Sequence, residues 1–187
     1  MSKALKSELP KTIDPYRFAD QESVLEGFLP LSALERFADS ILGAASSDPR
    51  EQCQVSLVFG KDEERRRIVS GELVADVMLE CQRCMKPMPV RLSSSFMLAL
   101  VTSDEQARNL PKDLEPFQTD GFTANLWDLV EDELLLVLPP FPLHERGECE
   151  ATAVLETFEP DPAAVVPDTE KRENPFSVLA DLKKDRH

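Results

Sequence analysis

Strict alternation of apolar and polar side chains dominates the middle of the chain. Cys53, Val55, Leu57 and Phe59 recur every second residue, and so do Leu73, Ala75, Val77 and Leu79. A period of two places each set on one face of a β-strand. The pattern predicts strands over residues 53–59 and 68–80, folded into an antiparallel hairpin by the highly charged turn at 60–66. A third long strand is expected over residues 88–102. Pro87 and Pro89 lie before its centre, where a missing amide donor is tolerated.

Helical spacing flanks this block on both sides. Leu31, Leu34, Phe37, Ala38 and Ile41 predict a helix over residues 31–43, with Gly43 as its stop. Leu126, Leu129, Val130, Leu134, Val137 and Leu138 predict an amphipathic helix over residues 124–138 that ends before Pro139, Pro140 and Pro142. Asp128, Glu131 and Asp132 fall on its outer face, and Glu131, Asp132 and Glu133 read as a solvated acidic surface rather than an acid–base pair. Ser103-Asp-Glu-Gln106 has the form of a capping box for a short helix. Residues 10–30, punctuated by Pro10, Pro15 and Pro30, read as extended, with strand character over 23–29. The fold class expected is α+β: one domain over residues 1–150, an antiparallel β-sheet covered by amphipathic helices.

Residues 151–173 are acidic and rich in Pro and Ala, the composition of a mobile linker. Residues 174–187 then carry a second helical signal. Asn174 is a cap, Pro175 suits the first helical position, and Phe176, Leu179 and Leu182 share one face. That face has more apolar patterning than a solvated tail needs, so it is a candidate docking segment.

The 187 residues contain no apolar run near the roughly 20 that span a bilayer, and the first twenty lack the apolar stretch of a secretory signal. A cytoplasmic protein without membrane contact is expected. The formal charge of −14 is unevenly placed, with 6 Lys+Arg against 15 Asp+Glu in residues 121–187. Nucleic-acid affinity rests largely on Lys and Arg neutralising phosphates, so this balance disfavours broad, non-specific RNA or DNA binding and suits a basic protein partner. The one dense basic cluster outside the C-terminus is Arg65, Arg66 and Arg67, preceded in the same loop by Asp62, Glu63 and Glu64.

Catalytic motifs are sparse. The chain has no Gly-rich phosphate loop, no G-x-S-x-G elbow and no H-E-x-x-H helix, and only 2 histidines and 6 glycines from which to build a site. An enzyme is not expected. The strongest chemical signal is Cys81-Gln-Arg-Cys84 at the end of the second strand, a bidentate thiolate pincer. His144 and Cys149 supply two further ligand types far downstream, completing a Cys3His set for zinc. A thiol-redox role for the same pair is the alternative, although redox C-x-x-C pairs draw thiolate stability from a helix N-terminus, and here a strand precedes and follows. Cys53 alternates with core residues and belongs to neither reading.

Four segments, LECQRCMKP (79–87), SDEQARNLP (103–111), LVEDELLLVLPPFPLH (129–144) and NPFSVLADLKK (174–184), resemble in order and spacing the bacterial YceD family, the large ribosomal RNA subunit accumulation proteins. The resemblance extends over most of the chain, from about Ile13-Asp14-Pro15 onward. It implies a non-catalytic role in the synthesis, processing or stability of 23S ribosomal RNA, and hence in ribosome biogenesis. Reconciled with the charge, that role has two routes. The protein acts through a basic large-subunit ribosomal protein or an assembly factor, or it contacts 23S RNA or its precursor directly through a local basic surface of Arg65, Arg66, Arg67, Lys86 and Arg91.

Overall fold

The computed structural model describes residues 7–43 and 51–158. The chain divides into two compact units, the first ending at Cys149 and the second beginning at Glu150.

In the first unit a five-stranded sheet is built from β2 (Val24–Pro30), β3 (Gln52–Lys61), β4 (Arg67–Glu80), β5 (Pro87–Val101) and β6 (Glu115–Gln118), in that spatial order. β2 to β5 form an antiparallel meander, with Val55 opposite Leu73 and Leu73 opposite Ser94. This register carries the sequence alternation straight across the sheet. Cys53, Val55, Leu57, Phe59, Val69, Leu73, Ala75, Leu92 and Leu98 all point to one buried face, while Ser70, Glu72, Asp76, Arg91, Ser93 and Ser95 point to the other. Gly71 sits opposite Phe96 because the ring lies across it. A Cβ at Gly71 would approach the ring to 2.1 Å.

The buried face is covered by helices. Among them, α4 (Leu126–Leu136) contributes Leu126, Leu129, Val130 and Leu134 to the core. Asn125 caps it, its side chain accepting from the backbone N–H groups of Trp127 and Asp128. The expected α+β architecture is therefore the one observed. Among the described residues no helix is long and apolar enough to cross a membrane.

Several local expectations are corrected. Residues 15–20, expected to be extended, form the helix α1 (Pro15–Asp20), because Asp14 accepts from the Arg17 N–H as N-cap and Pro15 occupies a position where its missing donor costs nothing. The helix expected over 31–43 is broken into a 3₁₀ turn at Leu31–Ala33 and the four-residue α2 (Glu35–Ala38). It stops early because β4 outruns β3, and the chain at Leu42 pairs with the exposed edge at Met78 instead of continuing as helix.

β6 was not expected. It runs parallel to β5 after the crossover through α3 (Asp104–Arg108), and its sequence, Glu-Pro-Phe-Gln, has no alternation to read. The predicted cap of α3 is present, with Ser103 accepting from the Gln106 N–H. A small second ladder joins β1 (Thr12–Ile13) to β7 (Ala124–Asn125) and ties the N-terminal segment to the start of α4.

The acidic surface read for α4 also needs correcting. Glu131 and Glu133 are 6% and 8% exposed, and only Asp128 and Asp132 of that set face water. Glu131 accepts from the backbone N–H groups of Arg36 and Phe37, at 2.7 and 3.2 Å, and its carboxylate pairs with the Arg36 guanidinium. Glu133 accepts from Ser94 on β5. In the second unit, residues expected to begin the linker form the helix α5 (Thr152–Phe158), where no proline interrupts Ala-Val-Leu-Glu. Residues 159–187, and with them the candidate docking residues Asn174, Pro175, Phe176, Leu179 and Leu182, lie outside the described residues.

Candidate metal centre

Where β4 ends, its apolar alternation continues one step further, and Cys81 is fully buried as if it were the next core position. The chain then has to reverse into β5. It does so within a tight knuckle, in which Met85 N–H donates to the Cys81 carbonyl at 2.8 Å and Cys81 N–H to the Lys86 carbonyl at 2.9 Å. Met85 adopts a left-handed φ of 58° to close it.

This geometry brings Cys84 back beside Cys81 and aims amides at sulfur. Burial pushes the Cys81 thiol up, but N–H groups of His144, Cys84 and Arg83 outweigh it and bring its pKa down to about 5. Burial pushes Cys84 up as well, and there it prevails over the N–H of Lys86, the neighbouring sulfurs of Cys81 and Cys149 adding to the rise.

The other half of the site arrives on the segment after α4. Pro139, Pro140 and Pro142 keep this stretch from hydrogen bonding to itself, and its carbonyls turn to the knuckle instead. Gln82 N–H donates to the Pro142 carbonyl at 2.9 Å, and the Gln82 side-chain amide reaches the Pro140 carbonyl at 3.4 Å. The Arg83 guanidinium donates to the His144 carbonyl at 2.6 Å. His144 is thereby held with its N–H on the Cys81 sulfur at 3.4 Å and its Nδ1 3.3 Å from the Cys84 sulfur.

The ligand atoms of Cys81, Cys84, His144 and Cys149 all lie within 4.8 Å of one another. Bonds of about 2.0–2.3 Å around a tetrahedral zinc put neighbouring donors roughly 3.4–3.8 Å apart, so the cluster has the dimensions and the donor set for a metal ion. Three sulfurs gathered this closely repel one another as thiolates unless a cation sits among them. The four residues can therefore hold a metal ion, and Gln82 and Arg83 hold the Pro-rich segment against the knuckle. Sequence reasoning gave neither residue a positioning role, although their place between the cysteines was the available signal.

Cys53 stands apart. Buried in the core, it has its pKa pushed up to about 12 by desolvation. No helix begins at Cys81 or Cys84, since β4 and β5 lie on either side of the turn. The pair thus lacks the helix N-terminus that redox pairs draw on, and amides around the knuckle bring Cys81 down instead.

The candidate basic surface is not gathered into one patch. Arg65, Arg66 and Arg67 lie at the β3–β4 turn, whereas Lys86 lies in the knuckle at the far end of β4. The fourteen residues of β4 separate the two by roughly 40 Å. Arg66 is paired with Asp62 and Glu64, Arg67 with Asp20, and Arg91 with Asp76 across the strand ladder.

Comparison with known proteins agrees with the motifs. The family model described as "Large ribosomal RNA subunit accumulation protein YceD" matches residues 69–183, which include all four candidate ligands. A protein of that name from Haemophilus influenzae is 36% identical over 180 residues, covering 95% of this chain and 98% of its own length. No solved structure matches. The family match over more than half of the chain and the near end-to-end relative both show that this chain belongs to the YceD family.

Proposed function

We propose that this protein is a non-catalytic ribosome-assembly factor that supports the accumulation of large-subunit, 23S ribosomal RNA in the cytoplasm. The observation that carries this reading is the near end-to-end likeness to the relative named for that role. The geometry supports a structural rather than catalytic centre. With four protein ligands converging, a tetrahedral ion has no open position for substrate. Zinc is the ion the Cys3His set favours, and its work here is to lash the 139–149 segment to the knuckle between β4 and β5.

The protein partner we propose is a basic large-subunit ribosomal protein or an assembly factor. A chain of net charge −14 attracts such a partner before its RNA does. Protein contacts are favoured over a broad basic RNA surface because Arg65, Arg66, Arg67, Lys86 and Arg91 are divided between the ends of β4 and are largely paired with carboxylates. The segment 174–187 is proposed as the docking element for that partner, through Phe176, Leu179 and Leu182.

Deleting the gene and quantifying 23S RNA, its precursor and the subunit profile tests the role. A deficit restored by the full chain, but not by a Phe176→Ala/Leu179→Ala variant, is expected. Unchanged RNA and subunits, in the cold as well as at normal temperature, overturn the proposal.

A further inference from the structure

A groove of about 650 Å³ opens between α1, the start of β4 and the turn that precedes β7, lined by Tyr16, Arg17, Asp20, Gln21, Arg67 and Phe122 among others. Its volume is in the range of small-ligand sites. Phe122 is 73% exposed, yet it is not on a loose loop. Asp120 and Thr123 exchange backbone hydrogen bonds at 3.1 Å, Gly121 supplies the left-handed φ of 60° that the turn requires, and the buried Thr119 hydroxyl bonds to the carbonyls of Val101 and Gly121. An apolar ring fixed in water on a braced turn has been given its position before any partner arrives. Phe122 meets Tyr16 edge to face, at 5.8 Å and 81°, so the ring that offers its edge keeps both faces clear of the other. The Arg67 guanidinium lies 5.6 Å over the Tyr16 ring.

The charges in the groove decide what would fill it. Asp20 is already shared between Lys61 at 2.8 Å and Arg67 at 3.1 Å, and Asp14 accepts from the Arg17 N–H. Within the lining, Arg17 and Arg67 face Asp14 and Asp20, and Lys61 adds a third cation on Asp20 from outside it. The chemistry left over is an exposed guanidinium on Arg17 beside the exposed ring of Phe122. That combination does not recognise a basic peptide. It fits a planar ring carrying an anion.

We propose that this groove is a nucleotide site, in which a base stacks on Phe122 and its phosphate meets Arg17. It goes beyond the proposed assembly role and rests on that role only in expecting the nucleotide to be an unpaired residue of RNA. One local site of this kind is compatible with a chain too acidic to coat RNA broadly.

The test uses the full-length protein with a single-stranded nine-nucleotide oligoadenylate and, separately, AMP, by calorimetry at low salt. The parent is expected to bind the oligonucleotide, with Phe122→Ala weakening it about tenfold. Arg17→Ala is expected to weaken it and to lower the salt dependence by about one counterion. Arg91→Ala, which removes a charge from the opposite face of the sheet, is expected to leave the Phe122 contribution intact. Phe122 and Arg17 are both exposed, and circular dichroism melts checks that their variants fold. AMP bound as tightly as the oligonucleotide, with the same sensitivity to Phe122→Ala, supports the site with a free nucleotide as its ligand. Three results overturn the proposal: no binding of either probe, equal binding by both variants, or an arginine-rich peptide that binds through Phe122 where the oligonucleotide does not. A normal 23S level in a gene deletion would instead remove the assembly role and leave the nucleotide measurement standing.

Discussion

Removing the carboxylate of Glu131 is expected to destabilise the domain far more than its place among three consecutive acidic residues suggests. α2 is only four residues long, and its N-cap, Leu34, offers no side-chain acceptor. The orphan donors at its start are satisfied instead by Glu131, 95 residues away in sequence from Arg36. The carboxylate accepts from the N–H groups of Arg36 and Phe37, while Phe37 is itself completely buried in the core. A buried backbone hydrogen bond to a charged group is worth about 1.5–3 kcal/mol. Two such bonds place Glu131→Ala at about 3 kcal/mol or more, leaving out the Arg36 guanidinium, which is half exposed and still has Asp132. Glu131→Gln keeps a carbonyl oxygen for the two amides and loses the charge and the acceptor facing the half-exposed Arg36 guanidinium, so a smaller cost of about 1 kcal/mol is expected. Urea denaturation followed by circular dichroism measures both, with the slope m checked for constancy. An alanine variant within about 0.5 kcal/mol of the parent, the range of an ordinary surface change, would refute the idea that α4 caps α2.

Glu133 gives the opposite sign. Burial raises its pKa against the Ser94 hydrogen bond, so the folded state holds the proton more tightly than the unfolded chain. Its contribution is fully favourable below the unfolded value and is lost as pH rises through the folded one. Glu133→Gln is therefore expected to be more stable than the parent at pH 8 and to lose that advantage as the pH falls towards 5; a constant difference would contradict this. Metal analysis of protein made in zinc-containing medium without chelators is expected to find about one zinc per chain, and Cys149→Ser substoichiometric metal; a metal-poor parent would sink the Cys3His centre. Gly71→Ala is expected to cost about 1–3 kcal/mol by forcing the Phe96 ring off β4, a penalty that Phe96→Ala should largely abolish in the double variant. Additive effects of the two changes would show that the ring does not lie where the Cβ would go.

The sequence alone determined the features that depend on neighbours along the chain. Period-two alternation identified the long strands and their buried side, because adjacent side chains on a strand must face opposite ways. The Ser103 capping box was legible for the same reason, since its partners are three residues apart. Cys81, Cys84, His144 and Cys149 were legible as a ligand set by residue type, though only the fold shows that the Pro-rich segment after α4 returns to the knuckle.

Elsewhere tertiary partners overrode local pattern. Leu34, Phe37 and Ile41 keep helical spacing, yet the unpaired edge of β4 at Met78 draws Leu42 into a bridge and cuts the helix short. Glu131 looked solvated because nothing nearby in sequence needs its charge, and it is buried because the amides of α2 do. β6 pairs with β5 although its four residues carry no signal, since a parallel edge strand is selected by the ladder it joins. The five basic residues are alike in composition, but whether they make one surface depends on β4, a rigid strand whose length divides them. Local spacing fixes which face a side chain takes, and only the three-dimensional arrangement fixes which distant group meets it there.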